Sequence, residues 1–134
     1  MQVKYFSGNS DKRNSALYFK AQEIMQISRR ISDYIIPDLA VLNENGTEDN
    51  RIYFTGDIIR NSHSLILNIS KAETEYFQDS RMKYVASVSR LTERLYKSCE
   101  RLEYASSNGR DFLIILRKEI QKFRKLQRVW RLSL

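Results

Sequence analysis

The chain has 134 residues, 23 Lys and Arg against 16 Asp and Glu, a formal charge of +7, one histidine (His63) and one cysteine (Cys99). A chain of this length buries roughly two-thirds of its unfolded surface as one domain, so it needs no staple to fold. One Cys and one His exclude an intramolecular disulfide and leave no material for a multi-cysteine zinc site, so neither metal nor cofactor is expected.

Residues 1–14, MQVKYFSGNSDKRN, are polar and are expected to form a flexible arm ahead of a domain spanning 15–134. The arm holds no apolar run of the signal-peptide kind. Nowhere does the chain approach the roughly 18 consecutive apolar residues of a membrane helix. A cytoplasmic protein without membrane contact is expected, in which the sequon Asn45-Gly46-Thr47 is only a loop.

Four glycines and one proline force few turns, and the apolar residues recur at spacings of three and four, the helical period. The first helix is expected over about 15–42, with Leu17, Ala21, Ile24, Ser28, Ile31, Ile35, Leu39 and Leu42 in line and Ile27, Tyr34 and Ile36 widening the stripe. Pro37 removes a backbone donor and disfavours helix at Ile36, which predicts a kink or a restart there. NENGTEDN (43–50) is the clearest loop. The second helix, about 50–76, buries Ile52, Ile58, Ile59, Leu65, Ile66, Ile69 and Ala72, with Gly56 weakening its first turns.

Asp79 or Ser80 is expected to cap the third helix, about 80–105, whose apolar line is Met82, Val85, Val88, Leu91, Leu95, Cys99 and Leu102. Asn108-Gly109 suits a left-handed C-terminal turn. The fourth helix, about 110–132, carries Leu113, Leu116, Ile120, Phe123 and Trp130, with Gln127 at the skipped position. Four amphipathic segments, none able to hide its stripe alone, predict an all-α fold: an antiparallel up-down four-helix bundle.

The basic charge is concentrated at the C-terminal end. Up to Gly109 there are 15 cations against 14 acids; from Arg110 onward there are 8 against 2. On a wheel at about 100° per residue, Phe112, Leu113, Ile115, Ile120, Phe123, Leu126 and Trp130 share one half of the fourth helix with Leu116. Arg117, Lys118, Lys122, Arg124, Lys125, Arg128 and Arg131 take the other half, joined by Val129 and Leu132. The aromatic residues therefore belong to the core side rather than to a base-stacking arm. Asp111 and Glu119 are the only acids on that helix. Its cations repel one another within the helix, and an anionic partner such as nucleic acid relieves that repulsion.

A second line on the third helix, Lys83, Arg90, Arg94, Lys97 and Arg101 with Ser87 in register, is flanked by Glu93, Glu100 and Glu103. Those acids predict a salt-bridged surface, with phosphate contact as the alternative. Arg60 and His63 do not form a nuclease pair, since no second histidine exists to share acid–base work. Cys99, on the apolar line, reads as a small buried hydrophobe. No acidic pair or phosphate-cradling glycine loop occurs, so the chain is expected to be a binding protein rather than an enzyme.

RRISDYIIPDL, IIRNSHSLILNISKAE, RMKYVASVSRLTERLYKSCERL and LRKEIQKFRKLQRVWRL, together spanning about residues 17–132, make a pattern that resembles the accessory variability determinant proteins of diversity-generating retroelements. More distantly it resembles four-helix proteins encoded in intervening sequences of bacterial 23S ribosomal RNA genes. The resemblance implies a bacterial or phage-encoded homopentamer that binds nucleic acid (template RNA, cDNA or the RNA–DNA hybrid) and associates with the retroelement's reverse transcriptase, supporting mutagenic cDNA synthesis without chemistry of its own. Arg117, Lys118, Lys122, Arg124, Lys125, Arg128 and Arg131 are the first-choice phosphate contacts, and Arg90, Arg94, Lys97 and Arg101 the second. The alternatives are the ribosomal intervening-sequence type of protein and a structural bundle docking onto an acidic protein.

Overall fold

A computed structural model describes residues 7–39, 50–105 and 110–134, which are helical except at 75–77 and at Leu134. The protein is all-α, and the described residues form four helices: α1 (Ser7–Leu39), α2 (Asn50–Thr74), α3 (Gln78–Ala105) and α4 (Arg110–Ser133). Each packs on two others, α1 on α2 and α4, and α3 on α2 and α4.

The buried residues follow the apolar stripes. Leu17, Ala21, Ile24 and Ile31 of α1 meet Ile58, Leu65, Ile69 and Ala72 of α2, Val85, Val88, Leu95, Cys99 and Leu102 of α3, and Leu113, Leu116, Ile120, Phe123 and Trp130 of α4 in one core. Burying a side chain of the size of Phe123 contributes about 1.5–3 kcal/mol. Three of the hydroxyls inside are satisfied locally: Ser28, Ser62 and Thr92 each donate to the carbonyl four residues back, at 2.7, 2.8 and 2.7 Å. Gln127, at the skipped position of the α4 stripe, is also buried, and its amide nitrogen donates to Ser89 Oγ at 2.8 Å. A polar side chain can enter the core there because α3 supplies the acceptor.

Several expectations are corrected. Helix α1 begins at Ser7, not near 15, so much of the expected arm is helical backbone; a stripe marks only where a helix has apolar surface to bury, and 7–14 is polar. Helix α1 also runs through Pro37 without a restart and ends at Leu39, so the proline falls in its last turn. Helix α3 starts at Gln78, with Arg81 N–H donating to Phe77 O at 2.9 Å, which makes Asp79 a first-turn acid rather than the cap. The 75–77 connection is instead clasped by Arg81, whose Nε and Nη2 donate to Glu75 O at 3.2 and 2.8 Å.

Met82, Phe112 and Ile115, expected in the core, are exposed, and so is Tyr34. Met82, Ile115 and Tyr34 sit at the margins of their stripes, where a residue is buried only if the neighbouring helix reaches over it, whereas Phe112 is in line with Trp130 but lies in the first turn of α4. Asn108-Gly109, most of the 43–50 loop, and the side chains of Ile35, Ile36, Leu39, Leu42 and Ile52 lie outside what the structure describes.

Candidate nucleic-acid interface

The cations of α4 do not form one surface. Arg117 Nε lies 2.9 Å from Glu103 Oε2, and Arg124 Nε lies 3.1 Å from Glu93 Oε2, so both arginines reach across to α3. Neither Nε is aligned to donate a hydrogen bond, although both are buried. The pairs are therefore held by charge, helped for Arg124 by a hydrogen bond from Nη2 to Glu93 Oε1 at 3.3 Å and by its guanidinium carbon, 4.6 Å from the Tyr96 ring centroid.

Lys122 is engaged as well. It donates to Glu119 Oε2 at 2.8 Å, while Lys20 of α1 donates to Glu119 Oε1 at 2.9 Å and to Glu23 Oε1 at 2.7 Å. The hydrogen bonds from Lys122 and Lys20 hold the Glu119 carboxyl down to about 2. The hydrogen bonds that Lys20 donates to Glu23 and Glu119 raise its ammonium above its ordinary value.

Three first-choice contacts, Arg117, Lys122 and Arg124, are thus neutralised inside the protein. The expectation that this face lacks counter-charges is corrected: α3 supplies Glu103 and Glu93, and Glu119 of α4 itself pairs Lys122 while also holding Lys20 of α1. The other four, Lys118, Lys125, Arg128 and Arg131, are exposed and make no ion pair among the described residues.

The second-choice line changes standing in the opposite direction. Glu93 and Glu103, expected to neutralise the cations of α3, turn to α4 instead. Arg90, Arg94, Lys97 and Arg101 are exposed and make no ion pair among the described residues; Arg90 Nη2 donates only to Ser87 Oγ, at 3.0 Å. With Lys83, also exposed, they alternate at spacings of seven, four, three and four, which aligns them on one outward face about 27 Å long at 1.5 Å rise per residue. On the α3 wheel Glu93 and Glu103 lie toward α4, while this cationic line lies away from it.

The remaining candidates carry no chemistry. Cys99 is fully buried, its thiol donates weakly to Leu113 O at 3.6 Å, and burial pushes it up to about 12, so at neutral pH it is a protonated hydrophobe and not a nucleophile. His63 is exposed on α2. Among the described residues no three His, Cys, Asp or Glu side chains gather as a metal site, and no helix is long and apolar enough to cross a membrane. No protein-family model, curated protein or solved structure matches this chain.

Proposed function

We propose that this chain is an antiparallel up-down four-helix bundle that binds nucleic acid through its phosphates and has no catalytic activity. The bundle reading draws support from the side-chain pairs between α3 and α4. Ser89 meets Gln127, Glu93 meets Arg124 and Glu103 meets Arg117, so numbers rise along one helix as they fall along the other.

The binding reading rests on one observation: two exposed sets of cations without ion-pair partners among the described residues, Arg90, Arg94, Lys97 and Arg101 on α3 and Lys118, Lys125, Arg128 and Arg131 on α4. Like charges along a helix face destabilise it slightly. A phosphate backbone removes that repulsion and releases its own counterions, which gives sequence-independent, salt-sensitive affinity. Arg117 and Arg124 serve the fold in this reading, and Lys122 is a minor contact.

The biological setting follows from the sequence resemblance: an accessory subunit of a diversity-generating retroelement reverse transcriptase, assembled as a homo-oligomer of five copies, acting on template RNA or its RNA–DNA hybrid. The test is filter binding of RNA and duplex DNA across a salt series. Wild type should give a straight, steep fall of log affinity with log salt. Replacing Lys118, Lys125 and Arg128 by Glu, or Arg90, Arg94 and Lys97 by Glu, should each weaken retention and flatten that slope by roughly one unit per lost phosphate contact. Absence of retention by the wild-type protein at low salt overturns the reading in favour of docking onto an acidic protein.

A further inference from the structure

Between α1 and α4 lies a groove of about 400 Å³ lined by Ile27, Arg30, Ile31, Tyr34, Phe112 and Ile115. Three of its large side chains face water: Tyr34 is 56%, Phe112 48% and Ile115 51% exposed. The Tyr34 and Phe112 rings stand 5.5 Å apart at 56° to each other, tilted rather than stacked face to face. We propose that this groove seats one unpaired nucleobase of a single strand, packed face-on against one of the two tilted rings of Tyr34 and Phe112 and edge-on against the other, with Arg30 donating to the base edge or to its adjoining phosphate. The inference rests on the nucleic-acid reading above and adds to it a preference for unpaired bases.

The chemistry of the walls supports this occupant. The volume lies at the small end of ligand pockets, enough for one ring system and too little for a helix face. Half-exposed aromatic rings beside unneutralised cations are how single strands are held without reading their sequence, since every base presents a π-face. Arg30 is exposed and without an ion pair among the described residues. Its planar fork of donors matches both base acceptors and phosphate oxygens. Lys118, which makes no ion pair among the described residues, follows Ile115 at a helical spacing of three and continues the cationic rim along the same side of α4.

A second copy of this chain is the competing occupant, and charge disfavours it in a two-fold dimer, whereas the head-to-tail contact of a ring of five is separated by the sedimentation measurement below. An isologous contact through the groove would bring Arg30 and Lys118 of one copy against the same residues of the other.

The experiment uses the whole protein with two probes: a single-stranded oligonucleotide carrying 2-aminopurine, and its fully paired duplex. Wild type should quench 2-aminopurine fluorescence in the single strand. Phe112→Leu and Tyr34→Leu should each lose the quenching and weaken single-strand affinity by roughly 5- to 150-fold, the range for loss of one base–aromatic stack, while duplex affinity stays unchanged. Arg30→Gln, on the rim and clear of any packing change, should weaken the single strand more than the duplex.

If quenching survives in the variants, or both probes weaken alike, the pocket assignment falls while the nucleic-acid reading stands. Variants whose oligomers dissociate in sedimentation, with single-strand binding retained, would make the groove a contact between copies and overturn the proposal. If wild type binds neither probe, both readings fail together.

Discussion

The seam between α3 and α4 and the outward face of α3 are built from the same residue types and end in opposite electrostatic states. In the seam, Glu93 and Glu103 meet Arg124 and Arg117. On the outward face, Arg90, Arg94, Lys97 and Arg101 meet no acid among the described residues. Counting charges on α3 alone gives a nearly neutral helix. What decides is direction, because the acids lie on the flank that α4 covers and the cations on the flank it does not. A charge becomes available to a partner only when the fold has not already spent its counter-charge on a neighbouring helix.

Both regions ride on one core, and removing that core should produce the largest effect. Phe123→Ala should destabilise the protein by about 3–5 kcal/mol in denaturant unfolding, because Phe123 is fully buried and its cavity cannot fill. A loss below about 1 kcal/mol would mean that α4 is not held by its stripe. Next in size is the outward face: replacing Arg90, Arg94 and Lys97 by Glu should lower RNA affinity on the order of 10²-fold at low salt, with the unfolding midpoint unmoved.

The seam should behave the other way round. Arg124→Ala should cost about 1 kcal/mol of stability through loss of the Glu93 pair and the Tyr96 contact, with RNA affinity unchanged. A binding defect without a stability defect would erase the distinction between the two regions.

The smallest effect is a pH dependence. Glu119 titrates at about 2 in the folded protein against 4.5 ordinarily. The unfolded chain therefore takes up this proton first as pH falls. The contribution of Glu119 to stability is fully present above about 4.5 and is lost as pH drops toward 2. Thermal melts between those values should fall more steeply for wild type than for Glu119→Gln.

Much of the fold was legible from spacing alone. Helices α2, α3 and α4 begin and end within two residues of where the apolar period and the turn residues put them. The buried lines of α1 and α4, from Leu17 to Ile31 and from Leu113 to Trp130, are those that the spacings of three and four select, although Phe112 and Ile115, which the wheel places on the core half, are exposed. Less of the candidate site was legible. Ranking the α4 cations above those of α3 followed from counting acids within each helix, whereas Glu93 and Glu103 neutralise across the seam. Sliding α3 against α4 about the 106–109 connection could have found this, since it brings 93 near 124 and 103 near 117. The exposure of Tyr34, Phe112 and Ile115 had no such signal, because a marginal stripe position such as Tyr34 or Ile115, or a first-turn one such as Phe112, looks the same whether a neighbour covers it or not.

The sequence by itself determined that this is an all-helical protein with a basic C-terminal helix and a buried thiol at Cys99. These properties depend on local period and on which residue types are present at all. Only the tertiary structure decided which cations are spent and which remain, and that the α1–α4 groove stands open with aromatic walls. Both depend on where one helix meets the side chains of another. That register is set by packing of the whole core, and no single helix encodes it.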